Sequence, residues 1–187
     1  DSEYPAGPDG MTTLVRDLLG NIEPELIMAC SVSQKHGTAL FSSLASIVQG
    51  RVHCIHTAAD LGMRVRYDFP ERYGIDRALA ALAAWHFFHD SCVVIDAGTA
   101  ITVDAVDFDG NILGGYIMPG TEAMAEALSI RTALPGVSPG EPDGLLGNST
   151  ETCISRGIAE GVSGAVHRLF ERAAHAAGSG ERVMVTG

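Results

Sequence analysis

Residues Cys92 to Gly120 read CVVIDAGTAITVDAVDFDGNILGGYIMPG, and the fold turns on how this stretch is read. An apolar run, Val93-Val94-Ile95, stops at Asp96, and the turn Ala97-Gly98-Thr99 leads into a second β-branched run, Ile101-Thr102-Val103. A strand, a tight polar turn and a returning strand are the simplest reading. Asp107-Phe108-Asp109-Gly110-Asn111 supplies the next hairpin signal, because Asp-Gly and Gly-Asn tolerate the positive backbone angles of short hairpin turns. A third strand, Ile112 to Met118, ends at Pro119-Gly120. Such a meander can gather a carboxylate, a hydroxyl and bare backbone amides at one strand end, which suits phosphate and cation binding.

Upstream of the meander the pattern alternates between helix and strand. Asp1 to Gly10 has no periodic pattern and reads as a loose opening segment, and Met11 to Leu19 has helical spacing with Gly20-Asn21 as a stop. Glu25 to Val32 reads as a buried strand, Thr38 to Val48 as a helix and Arg51 to Ile55 as a short strand. Arg64 to Pro70 is extended, since a residue before proline is pushed away from helical angles. An Ala/Leu-rich helix then runs from Arg77 to about Phe88, with Asp76 at or near its N-cap, where a carboxylate accepts free amides.

Downstream, Thr121 to Leu128 is helical and Arg131 to Pro135 ends it. Gly136 to Asn148 is a Pro/Gly-rich loop, long enough to be a candidate for function or mobility. Ser149 or Thr150 caps the longest helix, to about Ala177, and Arg182 to Gly187 is an apolar strand meeting a turn. The alternation predicts an α/β protein. The antiparallel meander argues against a purely doubly wound parallel sheet.

Composition excludes several function classes. The chain has 187 residues, 46% hydrophobic and 19% charged, with no long polar tract, so it has the makings of a folded core. A formal charge of −11 without a Lys/Arg cluster argues against nucleic acid or an anionic membrane as partner. Cys30, Cys54, Cys92 and Cys153 are dispersed beside apolar runs and read as buried thiols in a reducing compartment. No apolar stretch approaches the roughly 20 residues that span a bilayer, and the start does not resemble a signal peptide, so the cytoplasm is the expected location.

Four local constellations are candidates for chemistry. Asp96-Ala97-Gly98-Thr99 could offer a carboxylate to a cation and a hydroxyl to a phosphate, or be a polar turn whose Asp satisfies its own backbone. Gly74-Ile75-Asp76-Arg77 pairs a candidate general base with an anion-binding guanidinium, or is a helix cap beside a surface cation. Gly114-Gly115 and Pro119-Gly120 allow close approach to a ligand, but strand-end turns use the same residues. N-capping alone accounts for Thr150. His53 with His56, and His86 with His89, lack a third metal ligand at convincing spacing, and the Walker and GxGxxG patterns are absent.

Taken in order, Tyr67-Asp68-Phe69-Pro70, Gly74-Ile75-Asp76-Arg77, Asp96-Ala97-Gly98-Thr99-Ala100 and Gly114 to Gly120 resemble the type III pantothenate kinases. The resemblance extends to Thr132-Ala133-Leu134-Pro135, to Thr150 before Ser155-Arg156-Gly157, and to Val185-Thr186-Gly187. It implies an actin-like, ribonuclease H-like fold of two duplicated α/β domains with mixed sheets. Residues 1–90 would be the remainder of the first domain and residues 91–187 part of the second. It also implies a homodimer that phosphorylates pantothenate with ATP, the first step of coenzyme A synthesis, with Mg2+ accompanying the nucleotide.

Carried over position by position, the resemblance makes Asp76 the catalytic carboxylate that takes the proton from the substrate hydroxyl. Gly74, Ile75 and Arg77 complete the pantothenate-binding loop, and Tyr67 and Thr150 line the same pocket. Asp96 matches the ligand of a monovalent cation, K+ or NH4+, while Thr99, with Gly98 beside it, matches the residues touching ATP phosphates. Phosphoryl transfer asks mainly for positioning and charge stabilisation, which such a set supplies.

The family pattern begins with a strand carrying Asp-x-Gly-Asn-Thr and continues past the terminal Thr-Gly, so the expectation is a domain pair incomplete at both ends. Ser33-Gln34 stands where the family carries Val-Pro, a change expected to act on packing. Two other readings compete: another phosphotransferase of the actin-like superfamily using the Asp96 turn for a different acceptor, and a catalytically degenerate relative with a regulatory role.

Overall fold

The computed structural model describes residues 8–48, 50–138, 140 and 144–187. Their elements in chain order are α1 (Pro8–Leu19), β1 (Leu26–Cys30), α2 (Gln34–Ile47), β2 (Arg51–Ile55), α3 (Ile75–Phe88), β3 (Cys92–Ala97), β4 (Ala100–Val106), β5 (Ile112–Pro119), α4 (Thr121–Arg131), α5 (Thr150–Ala177) and β6 (Val183–Thr186). The mixture is the α/β class that the sequence pattern predicts. The opening segment lies outside the described residues over 1–7, whereas 8–10 are already helical. The long loop before α5 lies outside them at 139 and 141–143.

The meander supplies three adjacent strands of a four-stranded mixed sheet ordered β5-β4-β3-β6. β3 pairs antiparallel with β4 and parallel with β6, and β4 pairs antiparallel with β5. The β4–β5 turn is held as its composition predicts: the Asp107 carboxylate accepts from the backbone amides of Asp109 at 3.1 Å and Asn111 at 2.8 Å. Gly110 takes φ +79°, and a Cβ there would stand 2.9 Å from the Trp85 ring, so conformation and close packing both call for glycine. The Trp85 indole N–H closes the arrangement by donating to Phe108 O at 3.0 Å.

A helix covers each face of this sheet. Ala78, Ala81 and Ala84 of α3 are fully buried, and their small side chains bring the helix close to Cys92, Val94, Val106 and Ile112. On the other face Val93, Ile95, Val103 and Ala105 pack against Val166, Leu169, Phe170 and Ala173 of α5. Alternation along the strands therefore assigns Val94 and Asp96 to the α3 face and Val93 and Ile95 to the α5 face.

A second, two-stranded parallel sheet pairs β1 with β2. Contrary to the expectation of a buried strand, β1 is half open: Leu26 and Met28, two residues apart and so on one face, are 49% and 64% exposed. The cysteine reading is corrected likewise. All four are free thiols, but only Cys92 is buried; Cys30 and Cys54 are half-buried and Cys153 is exposed on α5. No helix among the described residues is long and apolar enough to cross a membrane.

Candidate active site

The first cluster forms where α3 begins. Gly74 is the N-cap of α3 and Asp76 the second helical residue, so Asp76 stands inside the first turn, near the cap but not at it. Its side chain is exposed and folds back, so that a Cβ at Gly74 would lie 2.5 Å from Asp76 Oδ1. Gly74 and Ile75, with Tyr73, form one wall of a cavity of about 620 Å³ whose opposite wall carries Ser33, Thr38 and His56. That volume is in the range of small-molecule sites. Ser33 also caps α2, its hydroxyl accepting from the His36 amide at 3.3 Å, so the Ser-Gln departure from the family pattern has a local structural use.

Arg77 turns the other way, into the protein, rather than standing as a surface cation. It is 8% exposed and meets Asp104 of β4 as a fork, Nε to Oδ2 at 2.9 Å and Nη2 to Oδ1 at 2.5 Å. Its guanidinium lies 4.6 Å over the Tyr73 ring, and Tyr73 meets Tyr67 edge to face at 5.3 Å. Burial alone would push the guanidinium down, but the hydrogen bonds and charge of Asp104 outweigh it and hold Arg77 above its ordinary value. Burial, reinforced by the Asp104 charge, pushes the Tyr73 phenol up. The Tyr73 hydroxyl is buried without a hydrogen-bond partner among the described residues.

Two backbone features make room for this cluster. Residues 64–66 run beside the start of β5, with Ile112 N donating to Arg64 O at 2.8 Å and Arg66 N donating to Ile112 O at 2.9 Å, which delivers Tyr67 to Gly114. Gly114 takes φ +132° at a bulge in the β4–β5 pairing, and a Cβ there would touch the Tyr67 ring at 3.9 Å. Gly115 is the register partner of Asp104; a Cβ there would run into Val103 O and stand 2.6 Å from Asp104 Oδ1. Gly115 thus accommodates the protein's own ion pair and Gly114 lies against Tyr67, uses the sequence alone did not reveal.

The second cluster lies at the strand ends. Asp96 is half-buried at the end of β3, in register with Thr102 on β4 and Thr186 on β6, so all three share the α3 face. Gly98 and Thr99 are exposed in the following turn. Gly120, the N-cap of α4, donates its amide to Thr99 O at 2.8 Å, and a Cβ on it would run into Gly98 O. The Asp96–Thr99 turn and the Pro119-Gly120 end are therefore one local unit. Along the strand, Asp104 pairs with Val94, one same-face step or about 7 Å from Asp96.

Thr150 joins neither cluster. It is the first residue of α5, which lies on the sheet face opposite α3. The cap is Ser149, whose hydroxyl accepts from Thr152 N at 3.2 Å while Thr152 Oγ1 accepts from Ser149 N at 2.9 Å. Capping therefore does not account for Thr150, whose side chain is left exposed. Asp104 and Thr102 are the residues that reading motifs missed. The available signal was a carboxylate inside a β-branched run, since a buried charge has to find a partner.

A family model described as type III pantothenate kinase matches residues 4–172. The type III pantothenate kinase of Chlorobaculum tepidum is 40% identical over 163 residues, covering 81% of this chain and 58% of that protein. Those of Chlorobium luteolum and Halorhodospira halophila are each 35% identical, covering 97% of this chain and 70% and 73% of their own lengths. The chain thus spans a little over half of the first relative's length and more of the other two. A Campylobacter jejuni crystal structure, described as a Baf family transcriptional activator, superposes with a TM-score of 0.54 at 22% identity, over 83% of this chain and 68% of that one. That is a likeness of fold. With the family model matched along most of its length and such relatives beside it, the chain belongs to the type III pantothenate kinase family.

Proposed function

We propose that this protein is an ATP-dependent kinase that converts pantothenate to 4'-phosphopantothenate, the first step of coenzyme A biosynthesis. The observation that carries the reading is the meeting, over one sheet face, of the Gly74–Arg77 helix start and the row Asp104, Thr102, Asp96 that leads to the Asp96–Thr99 turn. Bound ATP, with Mg2+, supplies the phosphoryl group. Asp76, exposed in the first turn of α3, takes the proton from the pantothenate hydroxyl as its oxygen forms the new bond to phosphorus and the bond to the ADP oxygen breaks.

Gly74 and Ile75 bind pantothenate at the cavity wall, with Tyr67 and Arg77 behind them beside Tyr73. Gly98 and Thr99 face the ATP phosphates. Asp96, with the Thr102 and Thr186 hydroxyls on the same face, is an all-oxygen donor set, which fits a hard monovalent cation such as K+ or NH4+. The same reading takes the fold as actin-like, with residues 1–90 and 91–187 belonging to two duplicated domains, and the protein as a cytoplasmic homodimer. Assay of the purified full-length protein with pantothenate and ATP, with and without K+, tests it. Turnover that needs K+ is expected, and absence of phosphopantothenate under all salts would overturn it.

A further inference from the structure

We propose that Asp104 is a positioning residue for the substrate loop: by gripping Arg77 from β4, it sets where the start of α3, and with it the Asp76 carboxylate, stands over the sheet. The proposal rests on the reading of Gly74–Arg77 as the loop that binds pantothenate and carries the base. Arg77 follows Asp76 directly, so whatever fixes the Arg77 side chain fixes the turn of helix that bears the carboxylate. The two contacts, Nε to Oδ2 and Nη2 to Oδ1, form a fork, which constrains orientation as well as distance.

The surroundings are shaped to keep that fork in one arrangement. Gly115, opposite Asp104, leaves only enough space for the carboxylate, and the Tyr73 ring supports the guanidinium from its own side. With Asp104 1% and Arg77 8% exposed, the pair is removed from solvent. Compared with apolar residues of the same volume, a buried ion pair adds little net stability, so its distinguishing contribution is a defined geometry. Asp104 also shares its face with Asp96, one same-face step along the paired strands. The sheet that carries the cation-side carboxylate therefore also fixes the first turn of the base-bearing helix, through Asp104, in addition to the alanine packing farther along α3.

The test is steady-state kinetics of the full-length protein for both substrates, with melting curves, on Asp104→Asn, Arg77→Lys and the double variant. Since a displacement of about 1 Å can cost about a hundredfold in rate, Asp104→Asn is expected to lower kcat/KM for pantothenate about a hundredfold while KM for ATP stays within about twofold. Arg77→Lys should show the same selective loss, and the double variant should be no worse than the poorer single one, because each breaks the same grip. Losses that fall on both substrates in proportion to unfolding, or that multiply in the double variant, would overturn the positioning role. Should Asp104→Asn yield no folded protein, Asp104→Glu decides: it keeps the buried charges paired but moves the carboxylate by one methylene, so a selective pantothenate loss at an unchanged melting temperature supports the role and unchanged pantothenate kinetics refutes it. A wild-type protein that makes no phosphopantothenate overturns the functional reading itself, whereas an active wild type with unaffected variants overturns only the part given to Asp104.

Discussion

Arg77 on α3 and Asp104 on β4 are locked in a two-point contact, 2.9 Å and 2.5 Å, with both side chains withdrawn from solvent. Removing one partner strands the other charge in the interior, which costs about 3–5 kcal/mol. Asp104→Ala is therefore expected to lose about that much stability by urea denaturation. A loss below about 1 kcal/mol, the level of an exposed pair, would mean that the contact is solvated in solution.

Gly74→Ala separates stability from catalysis. The backbone at Gly74, φ −60° and ψ 133°, is open to any residue, so unfolding should shift by less than about 0.5 kcal/mol. The added Cβ would nevertheless meet Asp76 Oδ1 at 2.5 Å and push the carboxylate off its position. Activity should fall by about tenfold to a hundredfold at unchanged melting temperature. An active, stable Gly74→Ala protein would show that this placement of Asp76 is not the working one.

Ser149 and Thr150 are adjacent hydroxyl residues with different expected effects. Ser149→Ala removes the α5 cap and should cost about 1 kcal/mol in a thermal or urea melt. Thr150→Ala removes no cap, so it should change stability by less than about 0.5 kcal/mol. Equal losses in the two variants would give Thr150 a share in the cap.

Cys92 gives stability a dependence on alkaline pH. Burial pushes its thiol from an ordinary 9.0 to about 11, with Arg182 nearby pulling the other way. The folded state therefore holds the proton more tightly than the unfolded chain. That contribution is complete below pH 9 and is lost as pH rises through 11. Denaturation midpoints measured between pH 8 and 11 should decline, and Cys92→Ala should flatten the decline. An equal slope in the variant would place the effect on other groups.

Local chemistry made the meander legible in advance. The β-branched runs, the Asp-Gly-Asn turn and the Pro119-Gly120 stop each carry their signal within a few residues, and β3, β4 and β5 form where those signals predict. Contacts between distant residues were not legible in this way. Asp104 meets Arg77 across 27 positions, and no spacing rule marks such a pair. Gly114-Gly115 looked like space for a ligand because a glycine's sequence context does not say which atoms approach it; here they are Asp104 and Tyr67. The openness of β1 was missed for a related reason, since an apolar strand does not reveal whether both of its faces are packed against.

The most direct measurement is formation of 4'-phosphopantothenate, followed by mass spectrometry, by the full-length wild-type protein and its Asp76→Asn variant under saturating ATP, Mg2+ and K+. Asp76 is exposed in the first turn of α3, so the substitution should leave folding intact. Wild-type turnover with at least about a hundredfold loss in the variant is the expected result, since general-base catalysis contributes about 10²–10⁴. A folded Asp76→Asn protein that phosphorylates pantothenate at the wild-type rate would contradict the assignment of the base.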